Sequence, residues 1–340
     1  MAKNAPNVTL TVNDLVLCNN TTIEAYFTGV PSGWTAGALS GGGAGDIVSF
    51  SGTGFGTGNV GATWRDTTDY QLANGTEIPT DDKYRENGGT FHNAFAFDTA
   101  VKIGSRAGSL KGLRKCEIKP VKTATTPAVY VTWYQRFDCA LNDDNYIDTN
   151  IHAFDAQSNK FVRIWNGDDT DTDTWVSWTN RHLTYPDTPA SQNSAASYSS
   201  VLPTANQWTR MELVIDGTNI KAYMDGVLKH NITDFVKQDA ASDFYTQIFG
   251  YDLNYTDHIV QDFHTWLAEL YRLPSQARVE VSDSATWNSG QVTRYIQNVT
   301  EWTDTSIKFE LFRGDFAAQT TLYAYSIDDA GNATSLGEVL

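Results

Sequence analysis

The strongest constraint in the sequence is the alternation of hydrophobic and polar residues in short runs that turn residues separate. In IDGTNIKAYMDGVLK, Asp216 and Gly217 end one alternating run, and Asp225 and Gly226 end the next. Asp-Gly favours a tight hairpin because glycine readily adopts a positive φ. Similar runs recur from residue 90 onward, and no segment longer than about two turns has helical periodicity. The pattern predicts an all-β chain of stacked antiparallel sheets.

Length and charge restrict the possible partners. The chain has 340 residues, which suits two or three domains. Lys and Arg number 24 and Asp and Glu number 40, so the formal net charge is −16. Such a surface repels the phosphates of nucleic acids and anionic membrane surfaces. We therefore expect neither a nucleic-acid partner nor a membrane partner.

The cysteines and the N-terminal residues bear on the cellular compartment. Cys18, Cys116 and Cys139 form neither a paired disulfide framework nor a zinc-ligand spacing. The N-terminal residues MAKNAPNVTLTVND contain no apolar core of a secretory signal. We expect a chain that is made in the cytoplasm and leaves the cell, if it does, without a signal peptide.

One long segment resembles a known superfamily. Residues 90–273 contain YVTWYQRF, KFVRIW, NQWTRMELVIDGTNIKAYMDGV and TWLAELYRL. These strands resemble the concanavalin A-like lectin/glucanase superfamily, in particular its laminin-G and polysaccharide-lyase jelly rolls. The resemblance implies a jelly-roll sandwich, which we place at residues 67–274. It says little about activity, because one fold carries many functions.

The flanking segments resemble a second domain type. DIVSFSGTGFG, at residues 46–56, resembles the opening strand and turn of TIG/IPT immunoglobulin-like domains. RVEVSD, TDTSIKFEL and LYAYSIDDAGNAT, within residues 277–340, resemble the remaining strands. We therefore predict a TIG domain split into residues 39–66 and 275–340, with the jelly roll inserted in it and residues 1–38 as an N-terminal β arm or anchor. Three independent units in series are the alternative.

The pairing of TIG units with jelly rolls resembles bacteriophage head decoration and fibre proteins. This resemblance implies a non-catalytic protein of the virion surface, made in the host cytoplasm and released by lysis. Its jelly roll would bind host or environmental glycans or neighbouring virion proteins, and the protein would be a homo-oligomer. The link is an analogy between domain combinations.

An enzyme is the alternative function. The segment TNIHAFD resembles the Q-I-H strand of polysaccharide lyases, although Asn150 replaces the glutamine. His152 would then act in β-elimination on an acidic polysaccharide, with Tyr251 and Arg210 as partners. The segment RMELVID, which contains Arg210, matches the arginine strand of such lyases only in part. The paired acids of glucanases are not found in one strand.

Aromatic residues near acidic loops are candidates for ligand contact. Trp175, Trp178, Tyr251 and Tyr255 could stack on sugar rings if they lie on exposed loops. The alternative is that these rings fill the interior.

An acidic loop is a candidate calcium site, and no other cofactor is expected. Asp168, Asp169, Asp171 and Asp173 provide the oxygen ligands that Ca²⁺ prefers. The loop does not follow the EF-hand pattern, and a solvated turn is the alternative.

Overall fold

The computed structural model describes 22 strands and several of the connections between them. The described residues are 9–12, 15–19, 47–61, 64–66, 84–85, 96–98, 109–113, 117–120, 128–137, 162–166, 175–178, 204–216, 219–233, 244–249, 264–287, 293–314, 316 and 320–339.

Most of these residues lie in strands. In chain order the strands are β1 (Thr9–Val12), β2 (Leu15–Asn19), β3 (Ile47–Ser51), β4 (Trp64–Asp66), β5 (Tyr84–Arg85), β6 (Ala96–Asp98), β7 (Ser109–Leu113), β8 (Glu117–Pro120), β9 (Ala128–Phe137), β10 (Val162–Asn166), β11 (Trp175–Trp178), β12 (Thr209–Asp216), β13 (Asn219–Met224), β14 (Val227–Ile232), β15 (Phe244–Phe249), β16 (His264–Leu273), β17 (Arg278–Ser282), β18 (Arg294–Ile296), β19 (Asn298–Thr303), β20 (Ser306–Glu310), β21 (Tyr323–Ile327) and β22 (Ala333–Glu338).

The prediction of an all-β fold with antiparallel sheets is confirmed for the described residues. They contain no helix, and each strand pair among them is antiparallel. No helix in this part of the chain could therefore cross a membrane.

The contacts between residues divide the chain into two units. Unit 1 comprises residues 1–62 and 275–340, and unit 2 comprises residues 63–274. Strands β1 and β2 of the predicted N-terminal arm pair in the same sheet as β3 of unit 1. The immunoglobulin-like identity of unit 1 and the role of residues 1–38 as an anchor stay predictions.

Unit 1 contains two sheets. One has the strand order β19-β20-β3-β1-β2, and the other has the order β18-β17-β21-β22. In the first sheet, Phe50 of β3 and Phe309 of β20 are buried and stack with ring centroids 6.1 Å apart. Since β3 and β20 lie far apart in sequence, the sheet forms only when the two segments of unit 1 come together.

The loop after β3 packs against the β19–β20 hairpin. The indole Nε1 of Trp302 donates a hydrogen bond to the carbonyl oxygen of Phe55 at 3.1 Å. A Cβ atom on Gly58 would lie 2.5 Å from the ring of Trp302, so this approach requires a glycine. The glycine-rich sequence of this loop thus allows its close contact with Trp302.

Unit 2 also contains two sheets. One has the order β11-β10-β15-β8-β5. The other has eight strands in the order β14-β13-β12-β9-β16-β7-β6, with β4 pairing beside β7 on the same side of β16. The predicted Asp-Gly turn joins β13 to β14, where Asp225 and Gly226 both have positive φ.

The eight-stranded sheet has one apolar face. The register places alternate residues of β9, β12 and β13 side by side, and these residues are almost fully buried. They are Val129, Val131, Trp133, Met211, Leu213, Ile215, Ile220, Ala222 and Met224. This alternation is the sequence pattern that predicts the strands, and it leaves polar residues on the opposite face.

Candidate functional site

The opposite face of the eight-stranded sheet carries polar and aromatic side chains on strands β9, β12 and β13. The register pairs Tyr134 with Arg210, and it pairs Glu212 with both Thr132 and Tyr223. We name this surface the polar face. Its residues on β9, β12 and β13 are Tyr130, Thr132, Tyr134, Arg210, Glu212, Lys221 and Tyr223.

Three buried residues form a hydrogen-bonded cluster at the centre of the polar face. The hydroxyl group of Tyr130 donates to Oε1 of Glu212 at 2.5 Å. Nη2 of Arg210 lies 3.2 Å from the Tyr130 hydroxyl oxygen and 3.4 Å from the same Glu212 oxygen. Each of the three residues is at most 4% exposed. Glu212 therefore balances the charge of Arg210 where water does not reach, and each member fixes the others.

Two half-buried tyrosines border this cluster. Tyr134 lies on β9 opposite Arg210, and Tyr223 lies on β13 opposite Glu212. Because β9 and β13 are on either side of β12, the tyrosines flank the cluster from both sides. A partly exposed tyrosine offers a flat ring for stacking and a hydroxyl group for hydrogen bonding.

One end of the polar face carries a cation on an aromatic ring. The guanidinium of Arg136 lies 5.2 Å from the ring centroid of Trp266, which is the residue opposite it on β16. Nη2 of Arg136 also donates to Oδ1 of Asn206 at 3.1 Å. These contacts hold the half-buried Arg136 in place over an aromatic ring.

A β-bulge in β16 changes which residues reach the polar face. Ala268 pairs with Tyr134, whereas Tyr271 pairs with Thr132, so β16 has one residue more than β9 over this stretch. Glu269 lies in the bulge with a φ of 53° and is 3% exposed. The extra residue reverses the alternation and brings Tyr271 to the polar face.

The structure describes one of the three residues predicted for the enzyme alternative. Arg210 lies at the centre of the polar face, paired with Glu212. His152 and Tyr251 lie outside the described residues. A catalytic role for these three residues stays a prediction.

Of the residues predicted to bind ligand or metal, the structure describes only the two tryptophans. Trp175 and Trp178 are the end residues of strand β11, and Trp175 pairs with Trp165 of β10. Their contact with a ligand stays a prediction, as does that of Tyr255, which lies outside the described residues. The four aspartates of the predicted calcium loop, Asp168, Asp169, Asp171 and Asp173, also lie outside them. Within the described part of the chain, no group of three or more His, Cys, Asp or Glu residues could hold a metal ion.

The three tyrosines that β9 and β13 contribute to the polar face were not predicted from the sequence as site residues. Tyr130 and Tyr134 alternate with buried apolar residues of β9, and Tyr223 does the same in β13. The signal was present, because residues of one strand that are two positions apart share a face. The sequence of one strand does not show its partners, so the pairing of β9 with β12 was needed to show that these tyrosines meet Arg210 and Glu212.

Comparisons with known proteins find similarity at the level of structure alone. No family model and no curated protein matches the chain. Alginate lyase Aly36B has 11% identity and a TM-score of 0.37, covering 62% of this chain and 96% of its own. Domain 4 of the extracellular arabinanase AbnA from Geobacillus stearothermophilus, in complex with arabinotriose, has 15% identity and a TM-score of 0.32, covering 58% of this chain and 79% of its own. The carbohydrate recognition domain of Emp46p has 10% identity and a TM-score of 0.33, covering 64% and 98%. At these TM-scores the likenesses identify neither the fold family nor the ligand of this chain.

Proposed function

We propose that unit 2 binds a glycan on the polar face of its eight-stranded sheet. The observation that carries this proposal is the position of Tyr134 and Tyr223, which flank a rigid, charge-balanced cluster while staying partly exposed. Carbohydrate sites combine flat aromatic rings with a few fixed polar groups. The cluster of Tyr130, Arg210 and Glu212 holds the strands between the two rings in a fixed arrangement.

We further propose that the protein is a non-catalytic component of a bacteriophage virion surface, either a head decoration or a fibre. Unit 1 would be the TIG-like part that orients unit 2, a jelly roll, on the particle. Unit 2 would bind host or environmental glycans or neighbouring virion proteins, and the protein would act as a homo-oligomer. The domain resemblance in the sequence and the net charge of −16, which disfavours nucleic acid, support this role.

A glycan array tests the binding proposal. The full chain should bind at least one glycan, and the double substitution Tyr134→Ala and Tyr223→Ala should weaken that binding about tenfold or more, because two stacking rings are lost. Tyr323→Ala is the matched control, since Tyr323 is also half-buried but lies in unit 1. Equal binding by the double variant and the control would refute the polar face as the site. Repeating the array with a calcium chelator tests the loop that contains Asp168.

A polysaccharide lyase is the second candidate, because TNIHAFD and RMELVID resemble strands of such enzymes. Arg210, the suggested partner of His152, is buried 3.2 Å from the Tyr130 hydroxyl oxygen, on a face that also carries the partly exposed Tyr134 and Tyr223. Incubation with acidic polysaccharides, followed at an absorbance near 235 nm, would detect the unsaturated products of β-elimination. If product forms, and its formation is lost in His152→Ala, the protein is an enzyme and the non-catalytic proposal is wrong.

A further inference from the structure

The two places where the chain passes between the units lie next to each other in unit 1. The first segment of unit 1 ends at residue 62, and the second begins at Ser275. Asn59, near the end of the first segment, contacts Ser275 although the two residues are 216 positions apart in sequence. The backbone N–H of Gly61 donates to the carbonyl oxygen of Val299 at 2.7 Å, which fixes the outgoing chain to β19.

Asn59 connects the outgoing segment to the returning segment through its side-chain amide. Its Nδ2 lies 2.7 Å from the carbonyl oxygen of Ala277, 3.2 Å from that of Ser275 and 3.1 Å from the Ser275 hydroxyl oxygen. One amide group thus donates to acceptors on the first and third residues of the second segment. This uses both of its N–H hydrogens and leaves little freedom for the returning chain.

The contact continues into the hairpin between β21 and β22. The Ser275 hydroxyl, which accepts from Asn59, donates to Oδ1 of Asp329 at 2.5 Å. The Gln276 side chain approaches the same hairpin, and a Cβ atom on Gly331 would lie 2.9 Å from its Oε1. Gly331 also has a φ of +84°, a backbone conformation that favours glycine.

We propose that Asn59, Ser275 and Asp329 form a staple that keeps unit 1 closed when unit 2 unfolds. When unit 2 is folded, the pairing of Trp64 in β4 with Arg272 in β16 holds its two ends together, but unfolded unit 2 becomes a long flexible loop between the two segments of unit 1. The entropy cost of closing such a loop grows only with the logarithm of its length, so a few well-placed hydrogen bonds can offset it. The staple does not depend on the proposed glycan or virion function.

The test uses the full chain with unit 2 selectively weakened. Leu213 is fully buried in the apolar core of unit 2, so Leu213→Ala opens a cavity there and lowers the denaturant concentration at which unit 2 unfolds. Hydrogen exchange followed by mass spectrometry then reports on unit 2 through peptide 209–216 and on unit 1 through peptides 47–61 and 275–282. In L213A the unit 1 peptides should stay protected at urea concentrations where peptide 209–216 exchanges.

Removal of the staple should abolish this independence. Adding Asn59→Ala to L213A should raise the exchange of peptides 47–61 and 275–282 about tenfold. Adding Asn298→Ala instead should change it less than twofold. Asn298 is a matched control, since its Nδ2 donates to Oε2 of Glu310 at 3.2 Å but connects residues only 12 positions apart.

A second variant keeps the test decisive if Asn59→Ala prevents unit 1 from folding. Ser275→Ala removes only the hydroxyl group between Asn59 and Asp329, and should give a smaller increase in the same two peptides. The proposal is overturned if peptide 47–61 loses protection together with peptide 209–216 in L213A alone. It is also overturned if Asn59→Ala or Ser275→Ala has no larger effect than Asn298→Ala.

Discussion

Units 1 and 2 each contain an arginine and a glutamate two positions apart on a buried strand. In unit 2 these are Arg210 and Glu212 of β12, and in unit 1 they are Arg278 and Glu280 of β17. In both strands the spacing of two places the side chains on one face, opposite the apolar residues that face the core. The same local sequence therefore produces the same buried ion pair in two different sheets.

The surroundings of the two pairs differ. Glu280 is fully buried between two arginines, with Nε of Arg278 at 2.5 Å and Nη1 of Arg294 at 3.5 Å. The guanidinium of Arg294 lies 4.6 Å from the ring centroid of Trp287, and Trp287 packs against Tyr325. In unit 1 the pair is thus part of a cluster that the chain itself covers with an aromatic side chain.

Around the pair in unit 2, half-buried Tyr134 and Tyr223 on the neighbouring strands flank Arg210 and Glu212. The Arg-x-Glu pattern thus predicts a buried ion pair on a strand and not a binding site. The side chains on the neighbouring strands determine whether a ligand has a surface to contact.

The largest effect should come from removing the charge of Glu280. Glu280→Gln keeps the side-chain volume but leaves Arg278 and Arg294 without their shared carboxylate in a buried position. We expect unit 1 to lose about 3–5 kcal/mol of unfolding free energy. Urea denaturation, followed by hydrogen exchange of peptide 275–282, measures this loss.

The matched control for Glu280 is an exposed ion pair of the same unit. Glu301 lies 3.0 Å from Nζ of Lys308, and both side chains are partly exposed, at 39% and 42%. Glu301→Gln should lower the stability of unit 1 far less than Glu280→Gln, because partly exposed pairs are screened by water and salt. If the two substitutions had equal effects, burial would not explain the role of the cluster in unit 1.

Glu212→Gln should have a smaller effect, confined to unit 2. Glu212→Gln removes the carboxylate from one buried arginine, whereas Glu280→Gln removes it from two. The hydroxyl group of Tyr130 can still donate to the new amide oxygen. We expect a loss of about 2–3 kcal/mol, measured by exchange of peptide 209–216 in urea. Asp216→Asn, at the exposed end of the same strand, is the control and should change little. A larger loss of unfolding free energy for Glu212→Gln than for Glu280→Gln would contradict the expectation that unit 1 depends more strongly on its buried carboxylate.

The alternation in the sequence predicted the longer strands of both units, whereas the short strands β4 and β5 lie before residue 90, in a stretch without such alternation. Val129, Val131 and Trp133 alternate with Tyr130 and Thr132, and in β9 the first set lies on the apolar face. The hairpin around Asp225 was also predictable, because it depends on the backbone preference of two adjacent residues. Such features are local, so the sequence of one segment contains all the information that they need.

The candidate site was less predictable because it depends on pairing between strands. The alternation in HTWLAELYRL would place Arg272 on the face of Trp266 and Ala268. The bulge at Glu269 instead brings Tyr271 to that face. A bulge could not be predicted, because an inserted residue in a strand has no distinct composition. The contact of Arg210 with Tyr130 could not be predicted either, because it follows from the register of strands that lie far apart in sequence.

The smallest expected effect is the loss of stability when a tyrosine hydroxyl group is removed, and it should differ between Tyr325 in unit 1 and Tyr130 in unit 2. The hydroxyl group of Tyr325 in unit 1 donates to the carbonyl oxygen of Ser284 at 2.5 Å, whereas that of Tyr130 in unit 2 donates to a carboxylate. Tyr325→Phe should therefore cost unit 1 only about 1 kcal/mol at neutral pH, less than Tyr130→Phe should cost unit 2, because hydrogen bonds to charged groups are stronger.

The stability of unit 1 should also depend on pH through the hydroxyl group of Tyr325. Burial, and to a lesser extent Tyr323, raise the pKa of the Tyr325 hydroxyl above its ordinary value of 10.0. A raised folded-state pKa contributes stability that is complete below the unfolded-state pKa and is lost as the pH rises through the folded-state pKa. Unit 1 should therefore lose stability in alkali above about pH 10, and Tyr325→Phe should remove that contribution while Tyr323→Phe keeps most of it. Urea denaturation between pH 8 and pH 11, about the range of tyrosine titration, measures this difference. An equal alkaline loss in Tyr325→Phe and the parent chain would show that Tyr325 does not cause it.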